Sequence, residues 1–256
     1  MSELRVRLAG ALPEIQDGDD LPRMLARAAA EGGVVPGDVL VVAHKVVSKA
    51  EGRVVNLAHV NPSPAAQQLA VETGKEPAVC ELILRESRHI VARREGTLIC
   101  ETHHGFVCAN AAIDRSNTAS GTAVLLPRDP DASAKRIQRA LAESAGGHVG
   151  VVISDTHGRA FRRGLVNIAV GVAGFTAVIS RSGERDREGH VLRATDQAIA
   201  DEFAAVGGML MVKGGRRPAV LISGAELEIA PGTMTELLRE PEHDLFRGAG
   251  ADARAH

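Results

Sequence analysis

The sequence predicts an α+β fold in which mixed sheets are flanked by helices. Apolar runs of strand length recur along the chain, as in ELRVRL, VLVV, HVGVVIS and PAVLIS, but helical patterns separate only some of them. Three β-rich runs, RHIVARR, TLICETHHG and FVCANAAID, follow one another with no helix between them. A doubly wound parallel sheet would instead require strict alternation of strand and helix.

The elements follow in order. ELRVRL (3–8) alternates as a first strand. LPEIQDGDDL is a loop, after which Asp19 or Asp20 can cap a helix running to about Ala30. GDVLVVAHKVVSK, from Gly37, opens as a buried strand and then carries two lysines. Pro62–Thr73 and Pro77–Ser87 read as consecutive helices, with Gly74 as the stop between them. The three β-rich runs come next, then the clearest helix, DPDASAKRIQRALAESAGG, with apolar spacing through Ile137 and Leu141. HVGVVISD is a strand that ends at an acid, followed by a β-like segment near Ile168–Ile179. A helix from about Thr195 to Val206 and the strand PAVLIS complete the series. With no repeat, low-complexity segment or linker, residues 1–256 are read as one domain whose internal lobe boundary is not evident.

Composition narrows the function classes. The chain has 256 residues, is 45% hydrophobic and 24% charged, and carries 30 Lys and Arg against 32 Asp and Glu. A formal charge of −2 gives no whole-chain case for nucleic acid or an anionic membrane as partner. All five aromatic residues are Phe, so a stacking surface for single-stranded nucleic acid is not expected. The N-terminus lacks a signal pattern, and no apolar run reaches the ~18 residues of a spanning helix. Three cysteines do not form a disulfide framework, and a cytoplasmic location is expected.

Four segments carry candidate chemistry. In ISDTHGRAFRRG, Asp155 and Thr156 offer hard oxygen ligands for Mg2+ or Mn2+, and Arg159, Arg162 and Arg163 can bind phosphate oxygens. A surface Asp–Arg network at a turn would use the same residues. In ANAAIDRSN, Asp114 can supply a second carboxylate and Asn117 a side-chain amide, although an Asx-turn explains both equally well. In AHKVVSKAEG, Lys45 and Lys49 lie four apart beside His44, and their ammonium groups share one side whether the segment is helical or extended. MVKGGRRP offers Lys213, Gly214 and two arginines as a phosphate loop or an ordinary polar turn. Neither a P-loop nor a GxGxxG turn is present. CETHHGFVC has the residue types of a zinc site, but a hairpin centred near His104 would set Cys100 opposite Cys108 as small apolar partners.

Taken together, six stretches resemble the coenzyme F420-0:L-glutamate ligase family: LPEIQDGDDL, GDVLVVAHKVVSKAEGRVV, ELILRES, GFVCANAAIDRSN, LLPRDPDASA and VGVVISDTHGRAFRRG. They run in family order over most of the chain. The resemblance implies a two-lobed protomer in a homodimer, with F420-0 and L-glutamate as substrates. It also implies GTP as co-substrate, Mg2+ or Mn2+, and K+ as a further ion. In such a ligase the acceptor carboxylate is activated as an acyl phosphate and the glutamate amine displaces phosphate, with later glutamates γ-linked. By the same resemblance Asp114, Asp155 and Thr156 are metal ligands, and Arg159, Arg162 and Arg163 act with Asp155 on anionic substrate. Leu12, Pro13, Glu14, Ile15, His44, Lys45, Lys49, Asn117, Met211, Lys213 and Gly214 fall on nucleotide-contacting segments. The chain departs from the family pattern at Leu165-Val166-Asn167, where many relatives read Gln-Thr-Asp, and no fused flavin reductase domain is expected. A non-catalytic nucleotide or deazaflavin sensor, or a ligase for a different phosphorylated carboxylate, would be the alternatives.

Overall fold

Val39–Val42 are wholly buried, yet they divide between two cores: Leu40 and Val42 enter one hydrophobic cluster, Val39 and Val41 another. Period-2 alternation in a strand covered on both faces produces this division. The computed structural model describes residues 3–94, 96–193, 195–211 and 217–244. Its elements are β1 (Arg5–Leu8), α1 (Leu21–Glu31), β2 (Val39–Ala43), α2 (His44–Ala50), β3 (Val54–Asn56), α3 (Pro64–Thr73) and α4 (Pro77–Glu86). There follow β4 (Ser87–Arg94), β5 (Thr97–Thr102), β6 (Val107–Ala109), β7 (Thr122–Val124), α5 (Pro130–Ala145), β8 (Gly150–Gly158) and β9 (Leu165–Ala173). The last are β10 (Ile179–Ser180), β11 (Asp196–Gln197), α6 (Ile199–Leu210) and β12 (Ala219–Ser223).

The main sheet has the order β1-β12-β2-β8-β9. Only β2 and β8 run parallel; the other neighbours are antiparallel. One face is covered by α1 and α5, whose Leu25, Ile137 and Leu141 meet Leu40, Val151, Ile153 and Leu221. The other carries α6, where Phe203 packs edge-on against Phe175 at 5.5 Å between ring centres. A third cluster lies in the segment between β2 and α5, where Leu69 and Ile83 of α3 and α4 meet Leu98, Cys100 and Ala123. There β4-β5-β6 form one antiparallel sheet and β3-β7 a second. This is the expected α+β architecture of mixed sheets and flanking helices.

Local chemistry explains the element ends. Asp20 caps α1 by accepting from the N–H of Arg23, Ser63 caps α3 from Ala66, and Asp129 caps α5 from Ala132. Gly74 ends α3 in the left-handed conformation, at φ 67°. Along edge strand β9, Asp201 accepts from Ala169 N at 2.8 Å, while Asp131 accepts from Val172 N at 2.8 Å and from Met234 N. Burial pushes both carboxyls above their ordinary range against these bonds, so both acids have edge backbone as their principal partners.

Three boundaries differ from the sequence expectation. β8 does not end at Asp155; the ladder continues to Gly158, and only the buried part stops there. Pairing with Leu165–Ile168 extends both strands beyond their apolar runs, so β9 likewise begins before Ile168. The last helix spans Ile199–Leu210 rather than starting near Thr195, because Asp196 and Gln197 pair with β10. The segment after β2, open to either conformation from sequence, is helix α2.

Gly171 lies where β9 crosses the start of α5, and a Cβ there would stand 2.7 Å from the Pro130 carbonyl carbon and oxygen. Gly171→Ala should therefore destabilise the protein by about 1–3 kcal/mol. A lower urea midpoint at unchanged slope would be the signature.

Candidate active site

Parallel pairing sets Ala43 of β2 beside Ser154 of β8, so His44, the first residue after β2, comes to lie beside Asp155, from which β8 runs on without β2. Ligands of open α/β sheets gather at carboxyl ends such as that of β2. A cavity of about 510 Å³ opens there. The Leu12–Ile15 loop, Ala43–Lys45, Lys49, Asn117, Ser154–Thr156, Asn167, Met211, Arg217 and Pro218 line it. A second cleft of about 440 Å³ shares Glu14, Ile15, Lys49 and Asn117 with the first. The Lys49 ammonium is paired with Glu14 at this common wall.

His44 is only 2% exposed. Its Nδ1 is 3.4 Å from Ser48 Oγ, and its Nε2 lies 3.1 Å from Asp155 Oδ1. That second contact is at ion-pair distance but lacks the alignment of a hydrogen bond, leaving Nε2 without a hydrogen-bond partner. Asp155 Oδ1 also accepts from Thr156 N at 2.7 Å. Thr156 lies opposite Asn167 in the β8–β9 register, and its hydroxyl donates to Asn167 Oδ1 at 3.2 Å. Ser154 Oγ is buried with no hydrogen-bond partner.

The second candidate acid is committed differently. After β6, Asn110, Ala111 and Ala112 all take positive φ, at 53°, 52° and 58°. Left-handed backbone costs roughly 1–2 kcal/mol per residue, and here it turns the chain so that Asp114 bridges to Val124. Asp114 Oδ2 then meets Lys45 Nζ at 2.7 Å, while Oδ1 accepts from Ser116 N at 2.6 Å. Lys45 also donates to the Ser116 carbonyl and hydroxyl, at 3.1 and 2.8 Å. Burial raises the Asp114 carboxyl, but Lys45 and Ser116 outweigh it and hold the group below its ordinary value.

Not every candidate converges on the cavity. Arg159, Arg162 and Arg163 are exposed in the turn between β8 and β9 and do not line it, and Arg159 donates to the Arg163 carbonyl. Lys213 and Gly214 lie outside the described residues. Arg217, one of the two arginines that the sequence offered as a phosphate loop or polar turn, does line the cavity, as does Ser154, which sequence reading did not select. Cys100 is paired directly with Cys108 as the hairpin register required, and both thiols are buried. Burial, reinforced by Asp155 and Cys100, pushes Cys108 up to about 12, so it behaves as a small core residue and does not line the cavity.

The Asp155 carboxylate, the Thr156 hydroxyl and the Asn167 carboxamide supply hard oxygens to one cavity, alongside the orphaned Ser154 hydroxyl. This donor set fits Mg2+ or Mn2+ when water or phosphate completes the shell. Among the described residues, no cluster of three or more His, Cys, Asp or Glu gathers into a closed metal cage.

The family profile for F420-0:Gamma-glutamyl ligase matches residues 10–224. The chain belongs to that family. It is 45% identical over 243 residues to the Coenzyme F420:L-glutamate ligase of Methanothermobacter thermautotrophicus, covering 93% of this chain and 96% of the relative. The Methanopyrus kandleri relative of the same name is 40% identical over 249 residues, covering 95% and 98% of the two chains. That of Methanocaldococcus jannaschii is 40% identical over 237 residues, covering 92% and 94%. The match spans β2, α2, α5, β8 and β9, so it includes the elements that build the cavity. Among the described residues no helix is long and apolar enough to cross a membrane.

Because Asp114 is depressed, its pairing stabilises the fold at neutral pH and is lost as pH falls through that lowered value, below about 3.8. Asp114→Asn should cost about 1–3 kcal/mol at pH 7. It should also flatten the acid limb of a stability–pH curve below pH ~4, which circular dichroism would follow.

Proposed function

We propose that the protein adds L-glutamate to the carboxylate of F420-0 at the expense of GTP, with Mg2+ or Mn2+ bound. The observation that carries this reading is the Asp155–Thr156 donor pair, which lines one cavity together with Lys49 and Arg217 in a chain of this family. The physical difficulty is charge, because an acceptor carboxylate must approach a triphosphate. Cationic side chains placed before the substrates arrive reduce that repulsion without reorganisation during the reaction.

In this scheme an acceptor carboxylate oxygen bonds to the γ-phosphorus while the bond to the β–γ bridging oxygen breaks. An acyl phosphate and GDP result. The glutamate amine then attacks the acyl carbon, forming the amide C–N bond, losing a proton and expelling phosphate. Asp155 and Thr156 would hold Mg2+ or Mn2+, which when bound would supply charge neutralisation at the phosphates. Lys49 can exchange Glu14 for a phosphate oxygen, and the Leu12–Ile15 loop shapes the nucleotide's wall. His44 packs beside Asp155 from the sheet side, with Nε2 3.1 Å from Oδ1. Asn117 and Met211 border the same cavity and complete the nucleotide's surroundings. Further glutamates would be γ-linked, and the working assembly would be a homodimer.

Incubation with F420-0, GTP, L-glutamate and Mn2+ should yield glutamyl adducts by mass spectrometry that vanish without GTP. Unchanged F420-0, under conditions where a relative works, would favour a sensor or a different acceptor. Asp155→Asn, nearly isosteric, should lower turnover on the order of 100-fold with the circular dichroism spectrum unchanged. Wild-type turnover at limiting Mn2+ would refute the role given to Asp155.

A further inference from the structure

We infer that Asn167 is a positioning residue for the cation site. Its carboxamide oxygen takes the Thr156 hydroxyl proton and so leaves that hydroxyl's lone pairs to the ion, while Gly208 of α6 lets the helix close on the carboxamide and fix it. The inference rests on the reading of Asp155 and Thr156 as cation ligands given above. A hydroxyl rotates to suit its neighbours, with one proton to donate and two lone pairs to offer. To serve a cation it must send its proton elsewhere. Thr156 and Asn167 stand directly opposite each other in the β8–β9 register, and Thr156 Oγ donates to Asn167 Oδ1 at 3.2 Å. Among the described residues no other acceptor meets this hydroxyl.

The carboxamide is held in turn. α6 carries two successive glycines near its end, Gly207 and Gly208, although glycine weakens a helix interior. Both sit where a side chain would collide. A Cβ on Gly207 would stand 2.7 Å from Val41 Cγ1, and one on Gly208 would stand 2.9 Å from Asn167 Cγ and 3.0 Å from its Nδ2. Gly207 thus seats α6 on the core strand β2, and Gly208 brings the helix backbone against the Asn167 amide. Asp201, earlier in the same helix, ties α6 to β9 through Ala169 N at 2.8 Å. The amide therefore has its oxygen toward Thr156 and its nitrogen against α6. Reversed, the N–H2 group would donate to the Thr156 oxygen and occupy a lone pair that the ion needs. Asn167 lines the cavity, as does Met211, into which α6 runs, whereas Gly208 does not. The same helix packing that orients the amide therefore sets part of the cavity wall.

Mn2+ titrated into the full chain in the presence of GDP, with free ion read by electron paramagnetic resonance, tests the inference. Asn167→Ala should hold at least one bound Mn2+ about tenfold more weakly than wild type. Asn167→Asp, which keeps an acceptor oxygen for Thr156, should bind Mn2+ at least as tightly as wild type. Gly208→Ala, outside the cavity, should weaken binding about threefold or more by pushing the carboxamide off Thr156. In a Thr156→Val background Asn167→Ala should have no further effect, because Asn167 acts through the hydroxyl. Unfolding temperatures in EDTA check that each variant is folded, and Gly208→Ala carries the test if Asn167→Ala is not. A merely structural role would lower those temperatures without moving Mn2+ affinity. Wild-type Mn2+ affinity in both Asn167→Ala and Gly208→Ala would overturn the inference and leave the cation reading standing. So would weakened binding by Asn167→Asp, or an undiminished effect of Asn167→Ala in the Thr156→Val background. No Mn2+ on the wild type would refute the cation reading and, with it, the role given to Asn167.

Discussion

The site depends first on the parallel pairing of β2 with β8. Antiparallel strands can be joined by short turns and bring remote ends together cheaply, whereas this pair joins segments more than a hundred residues apart. The register sets Ala43 beside Ser154, so a buried histidine just past β2 and a partly buried aspartate within β8 lie side by side. Slipping that register by one residue would turn Leu40, Val42, Val151 and Ile153 away from α1 and α5. The core thus enforces the register, and the register positions the acid. The site's geometry is a consequence of hydrophobic packing several residues away from it.

Charge is the second organising constraint. Three carboxylates at or beside the cavity already have specific partners: Asp155 and Glu14, which line it, face His44 and hold Lys49, and Asp114, which does not line it, holds Lys45. These pairs differ in how easily they can be exchanged. Glu14 is 70% exposed, so its pairing with Lys49 is screened by water and readily given up. Lys45 and Asp114 are mostly shielded and share Ser116, which ties them into one closed unit. An anionic ligand entering the cavity would therefore meet a movable cation at Lys49 and a fixed one at Lys45. The exposed arginines of the β8–β9 turn belong to neither class, since they stand outside the cavity.

Much of this was readable in the residues. Asp20, Ser63 and Asp129 announced three helix starts through cap chemistry that operates within a few residues. The Cys100–Cys108 pairing followed from a hairpin turn, which is also local. Asp155, Thr156, Lys45, Lys49 and Asn117 stood out by residue type, and all line one cavity. The reading failed where pairing with another strand, rather than residue type, sets the outcome. Polar residues after Asp155 gave no strand signal, yet pairing with Leu165–Ile168 makes them one. The arginines were grouped with Asp155 because they neighbour it in sequence, but a strand carries successive residues about 3.3 Å further out each time, and by Arg159 the chain has left the cavity.

By itself the sequence determined the α+β class, most element positions, the buried strands and the family, because periodicity, caps and long motifs are properties of contiguous residues. Only the tertiary structure decided which acid faces which cation. Lys45 and Asp114 lie 69 positions apart, and nothing local couples them; a left-handed turn and a sheet register do. Sequence supplies the charged groups, but their pairing energy depends on distance and burial, and both of these are set by the packed core.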